Sequence, residues 1–287
     1  MRKIRMPENV IDLIIQIIKE KRESEELKTR FPNKLLREDV LDLLDMYCTV
    51  VYYPVDNESN NGFHITGIPD KFGKDHHFVY INTSQTIEKQ IFTAAHELGH
   101  VWEVDTCVLS KYGQDLADFC DEDIINRFAA ELLMPQKEFL AVFDKECSEF
   151  FTEDGKTPFG NLLKIIATIM NHFFVPQKAV IYRLFELGRI NVQILELLLG
   201  ESVISENIIS DFINDYMKEN GHIRFLTPTR KKWIDGLAEL LDKAEKNDTI
   251  ALSKIEKMRK DFDLPKKQIE SDMFEKIVDV SSGEGES

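Results

Sequence analysis

The chain has 287 residues, 43% of them hydrophobic and 30% charged, with a formal net charge of −15. That length buries a sizeable core and divides into two or three units, and the acidic balance argues against binding nucleic acid through non-specific phosphate contacts. Cys48, Cys107, Cys120 and Cys147 form no C-x-x-C pair, which excludes a dense disulfide framework and a zinc finger built on cysteine.

Pro7 to Leu27 has helical periodicity, with Ile11, Ile14, Ile15 and Ile18 on one stripe. Asp12 and Gln16 interrupt the apolar run, so this segment reads as an amphipathic helix and not as a signal peptide. No segment reaches the roughly 18 consecutive apolar residues of a membrane span, so the expected location is the cytoplasm, with no membrane partner. A second helix is expected from about Asn33 to Tyr47. Three short strands follow, Thr49 to Val55, Phe63 to Ile68 and Phe78 to Asn82, rich in Val, Ile, Tyr and Phe and separated by turn-forming residues. Phe78 to Asn82 is the candidate edge strand to which a peptide substrate adds.

The next helix, expected from about Thr86 to Val104, carries Thr93-Ala94-Ala95-His96-Glu97-Leu98-Gly99-His100. Four residues advance about 400° on an α-helix, so His96 and His100 lie one above the other on a single face. That spacing lets two imidazoles converge on one metal ion, with Glu97 beside the open position as proton carrier. Ile91, Ala94, Ala95, Leu98 and Trp102 make the helix apolar on most sides. Polar groups on a buried helix need partners, and a metal provides them. Gly99 inside the helix costs about 1 kcal/mol in propensity, consistent with a close approach by something else.

A catalytic metal of this type needs a third protein ligand. Asp121-Glu122-Asp123 opens an apolar-periodic helix that runs to Met134 and stops at Pro135. Acidic residues in a first helical turn also complement the helix dipole. Glu122 has the best phase, three residues before Ile125 and seven before Ala129. The expected ligand set is therefore His96, His100 and Glu122, with Asp123 second in line for the third place. The expected metal is zinc, and manganese suits the same donors. His76, His77 and His172 are candidates to stabilise the oxyanion, and the sequence singles out none.

Glu122-x-x-Ile125-Asn126-x-Phe128-Ala129-Ala130-Glu131-Leu132-Leu133-Met134-Pro135, after Phe92 to His100 and Val79-Tyr80-Ile81-Asn82, resembles the ImmA/IrrE family of metallo-endopeptidases. The resemblance is specific over Val79 to Pro135, weaker over Gln177 to Gly188 and absent from about Gly200 onward. Ile125 stands where that family usually has Ala. The resemblance implies an α+β fold, with a gluzincin-like site on a small peptidase domain of short three-stranded sheet and active-site helix, followed by a mostly helical C-terminal region. It also implies a protein substrate, a helix-turn-helix transcriptional repressor of a mobile element or a stress response.

Leu162 to Phe174 and Pro176 to Leu187 read as helix, turn, helix. Lys164, Lys178, Arg183 and Arg189 give the pair a local positive excess, but the overall charge weighs against DNA as a partner. Beyond Gly200, amphipathic helices are expected over Val203 to Met217, Thr229 to Lys246 and Ile250 to Phe262, and an acidic disordered tail from Gln268 to Ser287. The expected units are residues 1–147, 148–198 and 199–287. Two functions follow: an endopeptidase with Glu97 essential, or a non-proteolytic protein that uses a zinc-stabilised scaffold to sequester a partner, as in an immunity or toxin–antitoxin pair.

Overall fold

The computed structural model describes residues 5–57, 60–69, 75–150, 158–201, 205–222 and 227–264. The fold is α+β. The elements run α1 (Glu8–Arg22), α2 (Glu25–Arg30), α3 (Asp39–Asp45), β1 (Thr49–Tyr53), β2 (Gly62–Pro69), β3 (Asp75–Asn82), α4 (Ile87–Val101) and α5 (Val104–Tyr112). After a 3-10 turn at Gly113–Leu116 come α6 (Asp121–Leu133), α7 (Gln136–Phe150), α8 (Phe159–Phe173), α9 (Gln177–Glu186), α10 (Val192–Leu198) and α11 (Glu206–Glu219). The last elements are β4 (Trp233–Ile234), α12 (Leu237–Lys246) and α13 (Leu252–Asp261). The chain forms two compact units, Met1–Ile234 and Asp235–Ser287. In the second, Leu237, Leu241 and Ile255 are buried, and Arg259 pairs with Asp242. No helix among the described residues is long and apolar enough to cross a membrane. The tail expected from Gln268 to Ser287 lies outside the described residues.

The sheet has four strands in the order β2-β3-β1-β4. β1 and β3 are parallel, with Val51 opposite Tyr80, while β2 runs antiparallel to β3 and β4 antiparallel to β1. Alternation buries Val50, Tyr52, Val79 and Ile81 on one face. Two sequence expectations fail here. β3 is not an edge: it lies between β2 and β1, and β2 is the edge strand on that side. The fourth strand, Trp233–Ile234, pairs with Tyr52 and Val51 inside a stretch expected to be helical. The helix there starts only after Gly236, which adopts φ 65°. The N-terminal helix also divides, ending at Arg22, and Ser24 caps α2 by accepting from Leu27 N at 3.4 Å.

Asn82 closes the end of β3. Its fully buried amide oxygen accepts from Val55 N and Ser84 N, each at 3.0 Å, and its amide nitrogen donates to Val55 O at 2.8 Å and Asn60 O at 2.6 Å. An apolar residue there would orphan backbone groups that the loop cannot otherwise satisfy. This one side chain therefore fixes where the sheet stops and where the chain turns into α4.

α4 and α6 pack side by side at the centre of the first unit. Ile91, Ala94, Ala95 and Leu98 of α4 and Ile124, Ile125 and Phe128 of α6 are all fully buried. Each large side chain among them contributes roughly 1.5–3 kcal/mol through burial. Gly99 makes the close approach possible: a Cβ there would lie 2.8 Å from Phe128 Cδ1 and 3.1 Å from Ile125 Cδ1. Ile125 thus fills the space above the glycine.

A buried ionic network ties α9 to α6. Arg183, fully buried, donates to both carboxylate oxygens of Glu131 at 2.7 and 2.6 Å and to Met134 O at 3.0 Å. Arg127 pairs with Glu131 and with Glu186. The other cations of the helix-turn-helix stretch are also engaged: Lys178 with Glu206 at 2.9 Å, Arg189 with Asp144 at 3.5 Å, and Lys164 over the Tyr216 ring. Arg183, read from sequence as part of a basic surface, is a core residue.

Candidate metal centre

One helix supplies the two histidines and the helix packed against it supplies the carboxylate. Nitrogens of His96 and His100 and an oxygen of Glu122 all lie within 4.8 Å of one another. His96 Nε2 is 3.1 Å from Glu122 Oε2, and His100 Nε2 is 3.7 Å from Glu122 Oε1. The far side of each imidazole faces an oxygen: His96 Nδ1 shares a hydrogen bond with Asn126 Oδ1 at 3.2 Å, and the Asp105 carboxylate lies 3.5 Å from His100 Nδ1 as an ion-pair contact. Those oxygens favour the tautomer with hydrogen on Nδ1, leaving both Nε2 lone pairs directed at the space beside Glu122. Burial, the largest influence, lowers the pKa of His96 despite the nearby Glu122 carboxylate. A neutral imidazole is the form a metal needs.

Glu97 sits on α4 between the two histidines and is 5% exposed. Burial first, then the charge of Glu122, pushes its pKa up to about 7. A carboxyl poised there both accepts and releases a proton near neutral pH. Glu122 differs from its sequence-based expectation in one respect. Its phase does aim it at α4, but it stands at the open end of α6, where its side chain is 62% exposed.

The remaining candidates separate clearly. Asp123 is spent on the helix start, its Oδ2 accepting from Cys120 N at 3.1 Å and Cys120 Sγ at 3.2 Å. It does not join the cluster. His76 shares a hydrogen bond with Thr49 Oγ1 at 3.0 Å, and His172 lies edge-on to Phe173. His77 hydrogen-bonds His64, Nδ1 to Nε2 at 3.0 Å. His64, unremarked in the sequence, stacks on His100 with ring centroids 6.1 Å apart. Burial, then the nearby His77 and His100, holds its pKa down to about 4. Asn126 and Asp105 were also missed as orienting groups, although Asn126 stands inside the motif that carries the family resemblance.

Residues 45–185 match the IrrE N-terminal-like domain of peptidase family M78. No curated protein matches the chain. The matched segment contains β1 to β3, α4 and α6, and with them every residue of the cluster and its orienting groups. Over this segment, just under half of the chain, the protein is similar to the ImmA/IrrE family, a family of metallopeptidases.

Proposed function

We propose that the protein is a zinc-dependent endopeptidase that cleaves a partner protein, with a helix-turn-helix transcriptional repressor of a mobile element or a stress response as its target. The observation that carries the metal-dependent reading is the pair of imidazoles whose Nδ1 atoms are backed by Asn126 and Asp105 while their Nε2 atoms turn toward Glu122. The repressor as target rests on the family resemblance. The donor set of two imidazoles and a carboxylate fits zinc and also accepts manganese.

His96, His100 and Glu122 hold the ion. Bound there, zinc supplies Lewis acidity toward a carbonyl oxygen and lowers the pKa of a water to roughly 7. Glu97 takes the proton of the attacking water at a carboxylate oxygen and delivers it to the nitrogen of the leaving amine. The free side of β2 offers backbone groups to an extended substrate segment by strand addition, the role expected from sequence for β3.

Co-expression with the candidate repressor, comparing wild type with Glu97→Gln and His96→Ala on a denaturing gel, tests the reading. Cleavage by wild type alone supports it, and mass spectrometry then gives the bond. A repressor left intact but bound tightly by all three proteins overturns it in favour of a sequestering partner.

A further inference from the structure

β2 is pressed onto the active-site helix. At its first residue, Gly62, a Cβ would lie 2.7 Å from Thr93 Cγ2 and 2.5 Å from Tyr80 O, so only glycine fits. Two residues on, His64 faces α4, while its neighbours Phe63 and Ile65 point the other way and are 47% and 46% exposed. The ring of His64 stacks on that of His100 at an interplanar angle of 25°. On β3, His77 lies diagonally across from it, with ring centroids 5.2 Å apart and planes within 17°.

The 3.0 Å contact between His64 Nε2 and His77 Nδ1 requires one donor and one acceptor, so the two tautomers are linked. When His77 donates, His64 carries its hydrogen on Nδ1. That nitrogen has no partner among the described residues. A strand that only packed against a helix would take Val or Ile here and avoid burying an imidazole. Amide hydrolysis places negative charge on the carbonyl oxygen, which a hydrogen-bond donor beside the metal ligands must meet. Tyr80 donates its hydroxyl to Tyr53 O at 2.9 Å and Tyr52 donates to Asp45 at 3.2 Å, so both are engaged elsewhere.

We infer that His64 is a catalytic residue that donates a hydrogen bond from Nδ1–H to the scissile carbonyl oxygen, and that His77 is the positioning residue that fixes its tautomer. This rests on the peptidase reading above. No covalent bond forms or breaks at either histidine; the Nδ1–H bond persists and only its hydrogen bond strengthens as charge develops.

The test uses the zinc-loaded full chain, a fluorogenic peptide spanning the bond that mass spectrometry of the cleaved repressor identifies, and the phosphonamidate analogue of that peptide. His64→Phe keeps an aromatic ring on His100 and removes the donor; His64→Gln keeps a donor. The expected result for His64→Phe is a fall of about 10²–10³-fold in kcat, in the range seen for loss of one oxyanion donor. Phosphonamidate affinity should fall by a similar factor, with zinc affinity in chelator competition unchanged and partial recovery in His64→Gln. In His77→Phe, ¹⁵N NMR should show the hydrogen of His64 moving from Nδ1 toward Nε2. Zinc affinity that falls with kcat in His64→Phe would make His64 a mere support for His100 and overturn the inference. So would a fully active His64→Phe beside an active wild type, which leaves the peptidase reading intact. A wild type as inert as Glu97→Gln overturns both.

Discussion

Replacing Arg183 with Met isolates the worth of the tie between α6 and α9. The buried network holds two guanidinium groups, Arg127 and Arg183, against two carboxylates, Glu131 and Glu186, so its charges balance. Met fills much of the space of the arginine stem but leaves Glu131 and Glu186 sharing one cation, and strips a bidentate pair from Glu131 and a donor from Met134 O. One uncompensated charge in a site this buried costs about 3–5 kcal/mol, against a total stability on the order of 5–15 kcal/mol. With an m-value of about 3 kcal/mol per M in urea, the midpoint of unfolding should drop by about 1 M or more. Fluorescence of Trp102, buried 7% exposed beside Phe128, reports the transition. Replacing all four residues with apolar ones of similar volume should recover most of the loss, because desolvation of the whole set is then relieved. A shift below about 0.3 M in the single variant, roughly 1 kcal/mol, would refute the reasoning by showing that the remaining groups relax to water.

Glu97 makes a pH prediction for the protein stripped of metal. Its pKa is raised from 4.5 to about 7 on folding, so between those values the folded chain holds a proton that the unfolded chain has lost. The stabilisation is complete below about pH 4.5 and is lost as pH rises through 7, by an amount on the order of 3 kcal/mol. Thermal melts of Glu97→Gln across that window should lack this slope; an identical slope in both proteins would count against it. Gly99→Ala drives a methyl to 2.8 Å from Phe128 Cδ1 and 3.1 Å from Ile125 Cδ1. Overpacking of about 1–3 kcal/mol should exceed the roughly 1 kcal/mol gained in helix propensity, and zinc affinity should fall as α6 carries Glu122 away. Adding Ile125→Ala should restore much of that affinity in a chelator competition. Asn126→Ala and Asp105→Ala, which unhook the far sides of His96 and His100, should each weaken zinc by about 10–100-fold without unfolding the chain, as followed by competition and circular dichroism.

What could be read from the sequence is what local spacing encodes. His96 and His100 share a face because the helix repeat is fixed, and Glu122 followed from its phase relative to Ile125. Asp123 was harder to place: a cysteine N-cap is an unusual signal, and only the structure shows the carboxylate closing onto Cys120. The order of strands is not written in strand propensity, so β3 was taken for an edge. β4 was lost because two residues of strand cannot outweigh a long amphipathic stretch; Gly236, with its left-handed conformation, was the available clue. His64 has no local pattern at all, since its proximity to His100 depends on β2 crossing α4. Arg183 looked like surface charge because a helix does not disclose which face is buried until its counter-ion, Glu131, is brought in from 52 residues away.

The three candidate ligands do not meet the solvent equally. The side chains of His96 and His100 are 17% and 20% exposed, and that of Glu122 is 62% exposed. Two arms of the centre are thus rooted in the core and one stands in water, in the first turn of its helix. An ion held there would have its most accessible ligand in Glu122, while Asn126 and Asp105 would keep the two imidazoles oriented. A centre so built would let an ion enter and leave from the solvent side of Glu122 without opening the packing between α4 and α6.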